Sequence, residues 1–180
     1  MTWLLRHWTE YTEFPAAQIA RALGALNRYG GQYPEGGKPL SVARHSVLVY
    51  RLLGDDEPQV GLAALVHDVH ECWTGDLLRP FLADLSPTSR IEVSAIQNDI
   101  DWFVYNRMLE IECTADEWQR VKAADDAACK AELAYLDCPE TCPDPIISEA
   151  FESTQLWSPR YDAALWLRVF EMVRKELAAA

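Results

Sequence analysis

The sequence predicts an all-α bundle of five to seven helices. Apolar residues recur at spacings of three and four along most of the chain, which is the period of an amphipathic helix. The alternation of apolar and polar residues that is typical of strands is scarce. The 180 residues, of which 49% are hydrophobic and 24% charged, are enough for one globular core. We therefore expect a single helical domain over residues 1–180.

The first three helices are predicted from their periodicity and from the residues that begin or end them. Gly30 and Gly31 are expected to stop the first helix. Ser41 suits the N-cap of the second helix and Gly54 its end. Gly75 ends the third. The predicted segments are FPAAQIARALGALNRYGG (14–31), SVARHSVLVYRLLG (41–54) and QVGLAALVHDVHECWTG (59–75), with a loop at QYPEGGKP (32–39).

Three further helices are predicted in the second half of the chain. A long helix runs from about Arg90 to Glu110, with Ile96, Ile100, Phe103, Val104 and Met108 on one side. In the next helix, Thr114 and Glu117 have the spacing of a capping box. The last two helical segments are TADEWQRVKAADDAACKAELAYL (114–136) and SPRYDAALWLRVFEMVRKEL (158–177), separated by a loop that begins DCPETCPDP.

Charge and cysteine content limit the partners. Acidic residues outnumber basic ones by 28 to 16, which gives a net charge of −12. Nucleic acid polymers and anionic membranes need a basic face, so neither is an expected partner. No apolar run approaches the roughly 20 residues of a membrane span. Five cysteines in a chain of this size favour reduced thiols and a cytoplasmic location. Cys138 and Cys142 have no second pair to complete a zinc site, so free thiols are preferred.

Polar residues interrupt the apolar faces of three predicted helices. His45 lies in the second helix, His67 and Asp68 in the third, and Asp125 and Asp126 in a later one. Each residue alone fits a hydrogen-bonded core group or a solvated carboxylate. Taken together, imidazoles and carboxylates suit a divalent transition metal, and the interior of a bundle can assemble such ligands from separate helices. The sequence therefore predicts a metal site.

The same residues carry a resemblance to a known family. The order H…HD…D resembles the HD-domain metal-dependent phosphohydrolases, whose fold is a helical bundle. HDVHECWTGD resembles the HD-x-x-E-x-x-x-G-D segment of the bacterial 5′-deoxynucleotidase branch, SVARHSVLVY its first-histidine helix, and VKAAD its last-ligand helix. ALNRYGG resembles a segment common in phage-encoded relatives, some of which degrade deoxynucleoside triphosphates, including dATP. The resemblance covers roughly residues 18–136.

This resemblance implies a ligand set and a cofactor. The ligands are His45, His67, Asp68 and Asp125, and Asp68 also counts as catalytic. The doubled aspartate leaves Asp126 as an alternative to Asp125. The cofactor is a divalent metal ion, whether Co, Mn, Zn, Fe or Mg. Only three or four protein ligands are needed, which leaves open positions for water and substrate.

The resemblance also implies catalytic and substrate-binding roles. Glu71 matches the acid/base carboxylate and Arg28 a phosphate-binding, catalytic arginine. Asp76 matches the carboxylate that holds the sugar hydroxyl. Tyr29 takes the place of an aromatic that packs on the sugar and disfavours a 2′-OH. Glu71 follows His67 by four residues, so a continuous helix places both on one face.

Four residues have weaker assignments. His70 stands where the family commonly has a small residue, and we expect an outer partner of the metal site or an exposed side chain rather than a ligand. Trp73 is a candidate for the wall of the base pocket, with core packing as the alternative. Arg79 and Lys122 are candidates for further phosphate contacts, with surface solvation as the alternative.

The implied function is removal of phosphate from deoxyribonucleotides, a small-molecule substrate. The favoured substrate is a deoxynucleoside triphosphate such as dATP, and 5′-deoxynucleotidase activity on monophosphates is the alternative. Hydrolysis of a signalling nucleotide, or a degenerate HD module that only binds nucleotide, are further alternatives. The expected location is the cytoplasm, or the host cytoplasm if the protein is phage-encoded.

A homo-oligomer is also expected. The last helix carries more apolar residues than one domain core needs, and large exposed apolar patches usually mark interfaces. Packing of this helix within the chain is the alternative. The residues concerned are Tyr161, Leu165, Trp166, Phe170 and Val173.

Overall fold

The protein is all-α, as predicted. The structure, a computed structural model, describes residues 7–33, 37–54, 57–137 and 158–179. In these ranges seven α-helices have six or more residues, and the only β contact is one isolated antiparallel bridge. The helices are α1 (Ala16–Ala25), α2 (Val42–Leu53), α3 (Pro58–Val66), the short α4 (Glu71–Thr74), α5 (Arg79–Asp84), α6 (Pro87–Trp102), α7 (Ala115–Asp137) and α8 (Pro159–Ala179).

The core lies where α8 packs against α1, α2 and α3. Trp166 on α8 is fully buried, and its indole N–H donates to the carbonyl of Leu65 over 2.9 Å. Phe170 stacks on this ring with a centroid separation of 5.1 Å. Leu23 and Leu62 complete the contact from α1 and α3, and both are fully buried. Helix α7 packs on the other side of α2 and brings its polar residues toward α3.

The apolar face of α8 is therefore part of the core. Trp166, Phe170 and Val173 are 0%, 6% and 1% exposed, while Tyr161 is 38% exposed. Packing within the chain is the correct interpretation of this face, and the argument from it to a homo-oligomer is wrong. The homo-oligomer itself stays a prediction. Four of the large apolar side chains that are exposed in the described residues lie on α5 and α6: Phe81, Ile91, Ile96 and Trp102.

The first helix ends earlier than predicted. It stops at Ala25, and the next residues run extended beside the segment that precedes α2. The amide of Arg28 donates to the carbonyl of Leu40 over 2.7 Å. The amide of Val42 donates to the carbonyl of Leu26 over 3.0 Å. A short 3-10 turn, Arg28–Gly31, follows. This pairing fixes where the Arg28 side chain enters the molecule, because it no longer follows the spiral of α1.

The predicted third helix is interrupted. Residues 67–70 form tight turns between α3 and α4, in which the amide of Glu71 donates to Asp68 and that of Cys72 to Val69, both three residues back. Residues three apart eclipse in this geometry. Asp68 and Glu71 therefore share a face, and the continuous helix on which the expected alignment of His67 with Glu71 depended is not present. Gly75 ends the segment, as predicted, with φ of 77°.

The predicted helix ends are confirmed elsewhere. The Ser41 hydroxyl caps α2 by accepting from the amide of Arg44 over 3.1 Å. Gly54 ends the same helix in the left-handed region with φ of 58°. The amide of Thr114 donates to the Glu117 carboxylate, and the amide of Glu117 donates to the Thr114 hydroxyl, which is the predicted capping box before α7.

The predicted long helix over about 90–110 consists of two parts. Helix α6 begins at Pro87 and ends at Trp102, and the π-helical stretch Phe103–Met108 continues it. Ile100 and Val104 are fully buried, but Ile96 is 48% exposed. The apolar stripe is therefore buried only near this transition, and most of α6 lies on the surface.

Two predicted loops are described only in part. Gln32, Tyr33 and residues 37–40 are outside helices, while residues 34–36 are not described. Cys138 and Cys142 also lie outside the described residues. Within the part of the chain that the structure describes, no helix has the length and apolar character needed to cross a bilayer.

Candidate metal centre

The four predicted metal ligands come together. His45 projects from α2, His67 and Asp68 lie in the turn after α3, and Asp125 projects from α7. Nε2 of His45 lies 3.1 Å from an Asp125 oxygen and 3.6 Å from an Asp68 oxygen. Nε2 of His67 lies 3.2 Å from the same Asp68 oxygen and 3.8 Å from the same Asp125 oxygen. The Nε2 atom of each imidazole therefore faces both the Asp68 and the Asp125 carboxylate.

Both imidazoles are oriented from behind by their Nδ1 atoms. Nδ1 of His67 donates to the carbonyl of Ala64 over 2.8 Å. Because a carbonyl only accepts, the neutral ring keeps its lone pair on Nε2. That Nε2 is buried and has no hydrogen-bond partner. Nδ1 of His45 is held in the same way by the Glu132 carboxylate at 2.9 Å. This arrangement is typical of metal-ligating histidines.

The structure separates Asp125 from Asp126. The Asp125 side chain is 15% exposed and faces the imidazoles, whereas that of Asp126 is 51% exposed. Neighbours on a helix point about 100° apart, so only one of them faces the site. The Lys122 ammonium lies 2.8 Å from an oxygen of each aspartate. Lys122 is thus occupied by these carboxylates at the surface of α7.

The donor set fits a divalent metal ion. Ligand atoms of His45, His67 and Asp68 all lie within 4.8 Å of one another, as do those of His45, Asp125 and Cys129. Nitrogen and carboxylate donors suit first-row transition ions. Burial acts to raise the pKa of Asp68, but the neighbouring His67, His45 and Arg28 together outweigh it and hold that pKa well below its usual range. The carboxylate is therefore ionised and able to bind a cation.

A buried carboxylate that the sequence reasoning missed organises the centre. Glu132 on α7 is 1% exposed and accepts from Arg28 Nε at 3.0 Å, from the Tyr29 hydroxyl at 2.8 Å and from His45 Nδ1. Burial acts to raise its pKa, but His45 and Arg28 lower it to about 2. Glu132 follows Asp125 by two helical turns, and this spacing is a signal that could have identified it.

Arg28 lies at the centre with its positive charge intact. It is buried, and its guanidinium lies 3.4 Å from Asp68 and donates to the Cys129 sulfur over 3.3 Å. Burial acts to lower the pKa of Arg28, but Glu132 and Asp68 raise it well above its ordinary value. A fixed cation thus adjoins the ligands, where an anionic substrate would need one.

Glu71 is a buried carboxyl beside the centre. It is 8% exposed, and its Oε2 has no hydrogen-bond partner. Burial raises its pKa to about 9, with a further contribution from the carboxylates of Asp68 and Asp76. In the absence of a cation, this group is therefore a neutral acid near pH 7.

The two candidate sugar residues are neighbours in space. The amide of Tyr29 donates to the Asp76 carboxylate over 3.0 Å. Tyr29 has φ of 55°, in the left-handed region, and its hydroxyl donates to Glu132. Burial raises the pKa of Asp76. The backbone and the hydroxyl of Tyr29 are both fixed, which holds its ring beside Arg28.

A cavity of about 520 Å³ adjoins the centre. Its polar wall includes Arg28, Asp68, Glu71 and Asp125, and leucines of the segment before α5, of α5 and of α7 form an apolar wall. Arg79 is exposed and lines the cavity. Trp73 does not line it; the ring packs on the core, edge-on to Trp8 at 6.5 Å between centroids. Core packing, the alternative for Trp73, is therefore the observed one.

His70 is neither exposed nor isolated. Its side chain is 16% exposed, lines the cavity, and has Nδ1 3.0 Å from both carboxylate oxygens of Asp101. Burial acts to lower the pKa of His70, but the hydrogen bond to Asp101 and its charge raise it. Asp101 could not be identified from the sequence, because it lies on α6, 31 residues further along the chain.

Comparison with known proteins gives a limited similarity. No family model matches the chain. A stretch of 69 residues is 41% identical to an uncharacterized protein of Rhodobacter capsulatus, and the match covers 36% of this chain and 35% of that protein. The match thus spans about a third of the relative's length. It indicates a related segment and says nothing about what either protein does.

Proposed function

We propose that this chain is a metal-dependent phosphohydrolase of deoxyribonucleotides, with a deoxynucleoside triphosphate such as dATP as the favoured substrate. The observation that carries the proposal is the convergence of two anchored imidazoles and two carboxylates beside the buried Arg28. Arg28 and both carboxylates line one cavity. The resemblance of four sequence segments to the HD-domain hydrolases supports the substrate class.

His45, His67, Asp68 and Asp125 would hold the metal ion. A divalent ion supplies Lewis-acid chemistry, since it polarises a phosphoryl oxygen and makes hydroxide available near neutral pH. The buried Nε2 of His67, which has no hydrogen-bond partner, is the best-prepared ligand atom. Glu132 keeps the ring of His45 in the ligating orientation.

Arg28 binds the phosphate. Its Nε is fixed by Glu132, and NH1 lies 3.4 Å from Asp68. A planar guanidinium can hold two phosphate oxygens and neutralise charge that develops in the transition state. The buried ion pair keeps this cation in place before the substrate arrives.

Glu71 transfers the proton. Because burial keeps its carboxyl protonated near neutral pH, it can give a proton to the leaving oxygen. Glu71→Gln should lower kcat by about 10²–10⁴-fold, which is the usual contribution of general acid–base catalysis. The ion held by His45, His67, Asp68 and Asp125 should remain. Near-normal turnover would remove Glu71 from the mechanism.

Asp76 and Tyr29 select the sugar. Asp76 accepts from the 3′-OH, and the Tyr29 ring occupies the space of a 2′-OH. A site built to pair with a hydroxyl discriminates strongly against analogues that lack it. Tyr29→Ala should raise kcat/KM for ATP relative to dATP. Asp76→Asn should bring kcat/KM for dATP closer to kcat/KM for its 2′,3′-dideoxy analogue.

Tyr29→Phe separates the ring from its hydroxyl. This variant keeps the ring and loses the hydrogen bond to Glu132. If the ring excludes the 2′-OH, Tyr29→Phe keeps the preference of the wild type for dATP over ATP. If Tyr29→Phe and Tyr29→Ala change the ratio of kcat/KM for dATP to kcat/KM for ATP equally, the ring does not exclude the 2′-OH sterically.

Hydrolysis of deoxynucleoside monophosphates is the second candidate. The described lining of the cavity carries two cations, Arg28 and Arg79, beside four carboxylates: Asp68, Glu71, Asp76 and Asp125. A monophosphate brings less negative charge into such a site than a triphosphate. The excess of carboxyl groups over cations in the lining favours a monophosphate. The resemblance of ALNRYGG to phage relatives favours a triphosphate.

One experiment tests both candidates. The metal-free chain is loaded with Mn, Co, Zn, Fe or Mg and incubated with a panel of dNMPs, dNTPs and NTPs. Release of phosphate, pyrophosphate or tripolyphosphate from dNTPs identifies triphosphate hydrolysis, and release of phosphate from dNMPs identifies the nucleotidase. Preferential turnover of ribonucleotides, or no turnover of any deoxynucleotide by metal-loaded protein, would contradict the proposal.

A further inference from the structure

We propose that Asp68, His70 and Glu71 form a second divalent-cation site that shares Asp68 with the first. Ligand atoms of these three residues all lie within 4.8 Å of one another and line the same cavity. The inference rests on the proposed metal centre for the shared role of Asp68, but His70 takes no part in that centre. It assigns His70 a function that the sequence did not.

The strongest sign of a missing partner is Glu71. This side chain is 8% exposed, and its Oε2 is buried without a hydrogen bond. Burying a polar atom without a partner is costly, so such atoms are rare in folded proteins. Asp68 and Asp76 are further acidic residues in the lining of the same cavity. A cation between Asp68 and Glu71 would satisfy both. With that cation bound, Glu71 would be ionised, and its part in proton transfer would be that of a base toward water rather than that of an acid.

His70 supplies the nitrogen donor. Its Nδ1 is held by Asp101, which leaves Nε2 as the ring atom for a ligand. A carboxylate behind the imidazole is the usual support of a metal-ligating histidine. His45 has the same arrangement, with Glu132 in the place of Asp101. His45, His67 and His70 are therefore all anchored through Nδ1.

The turn between α3 and α4 brings the three donors together. Its tight hydrogen bonds place Asp68 and Glu71, three residues apart, on one face, and His70 precedes Glu71 directly. Two divalent ions that share a carboxylate typically lie about 3.5–4 Å apart and clamp a phosphate between them. The second ion would thus also offset the acidic wall of the cavity.

Manganese is the probe, because nitrogen and oxygen donors bind it and it reports on its neighbours by electron paramagnetic resonance. The metal-free chain is titrated with Mn²⁺ in equilibrium dialysis, and the spectrum is recorded at saturation. We expect two ions per chain and a spin-coupled spectrum. His70→Ala should bind one ion and give the spectrum of isolated Mn²⁺, while the control His7→Ala, at an exposed histidine outside the site, should bind two. One ion in the wild type, or two coupled ions in His70→Ala, would overturn the second site.

Asp101 gives an independent test through a positioning residue. Asp101→Ala should weaken the second Mn²⁺ by about 10–100-fold and leave the first unchanged, which is the usual effect of losing the support of a ligand. Asp99→Ala, an exposed aspartate on the same helix, should change neither affinity. Unchanged affinity of both ions in Asp101→Ala would contradict the anchoring of His70.

These results are separable from the proposed function. A chain that binds two coupled ions without hydrolysing any deoxynucleotide would contradict the phosphohydrolase and keep the second site. If the chain hydrolyses deoxynucleotides with one bound ion, and His70→Ala leaves this hydrolysis unchanged, the second site is contradicted and the phosphohydrolase is kept.

Discussion

At the scale of single residues, Glu132 determines how the centre is held. It is the common acceptor for Arg28, Tyr29 and His45, and it is buried almost completely. A buried carboxylate is tolerated because two positive groups and a hydroxyl satisfy it. Its removal would affect Arg28, Tyr29 and the imidazole of His45 at once.

Glu132→Gln should destabilise the metal-free protein, with a defined dependence on pH. The pKa of Glu132 is lowered from 4.5 to about 2, so its contribution is present above pH 4.5 and is lost as the pH falls toward 2. The pKa of His45 is raised from 6.5 to about 9, so its contribution is present below pH 6.5 and is lost as the pH rises toward 9. The stability difference between wild type and variant should therefore be largest between pH 4.5 and 6.5.

The measurement is urea unfolding in EDTA at a series of pH values. Breaking a buried ion pair costs about 3–5 kcal/mol, and this is the expected size of the maximum. The control is Glu92→Gln, at an exposed glutamate on α6. A stability difference that is flat with pH would contradict the coupling of Glu132 to His45.

Asp125 and Asp126 form a matched pair of variants. Asp125→Asn should weaken metal binding by more than about 100-fold, because it removes a ligand rather than its support. Asp126→Asn, at the half-exposed neighbour, should leave the affinity nearly unchanged. Both variants lose one contact to Lys122, so that loss cancels in the comparison. Isothermal titration with Mn²⁺ measures both, and metal loss in Asp126→Asn would reverse the assignment.

At the scale of elements, the ends of helices place the ligands. Helix α2 begins at Ser41, whose hydroxyl accepts from the amide of Arg44 and donates to Asp162 of α8 over 2.7 Å. Arg44 also lies 3.4 Å from the same carboxylate, which is fully buried. The start of α2 is thus tied to α8, and this fixes the direction in which His45 projects.

Ser41→Ala should therefore cost more than the loss of an ordinary cap. An N-cap serine is worth about 1 kcal/mol, and leaving the buried Asp162 without one partner adds about 1–3 kcal/mol. Ser86→Ala is the matched control, since Ser86 caps α6 at an exposed site and should cost only the cap. Denaturant unfolding compares the two. Equal losses would show that the bond between Ser41 and Asp162 contributes no stability.

At the scale of the whole molecule, the close approach of α1 and α8 decides how the core closes. A Cβ added at Gly24 would lie 2.6 Å from the carbonyl oxygen of Pro159 and 2.9 Å from Cβ of Ala163. The two helices can pack this closely only because Gly24 has no side chain. The position of α8 depends on this close approach of Gly24 to Pro159 and Ala163. The position of Asp162, which holds the start of α2 through Ser41, depends on it as well.

Gly24→Ala should destabilise the protein although it improves helix propensity. Alanine is favoured over glycine in a helix by about 1 kcal/mol, but forcing two backbones apart costs roughly 1–3 kcal/mol or more. Gly61→Ala is the comparison, because its added Cβ would come close only to side chains, which can move: the Tyr50 ring at 2.9 Å and Cγ1 of Val173 at 3.9 Å. Thermal unfolding should show a larger loss for Gly24→Ala. A stabilised Gly24→Ala would contradict the close contact.

The sequence by itself determined the helical class and several helix ends. It also identified His45, His67, Asp68 and Asp125 as a set, and the structure brings these four side chains together. Periodicity and capping act over a few residues, so they can be read locally. Only the tertiary structure decided that Glu132 holds Arg28, 104 positions away, that Asp101 holds His70, that α8 is buried, and that the helix breaks at residues 67–70. These depend on contacts between distant segments, and no local pattern specifies which buried groups will meet.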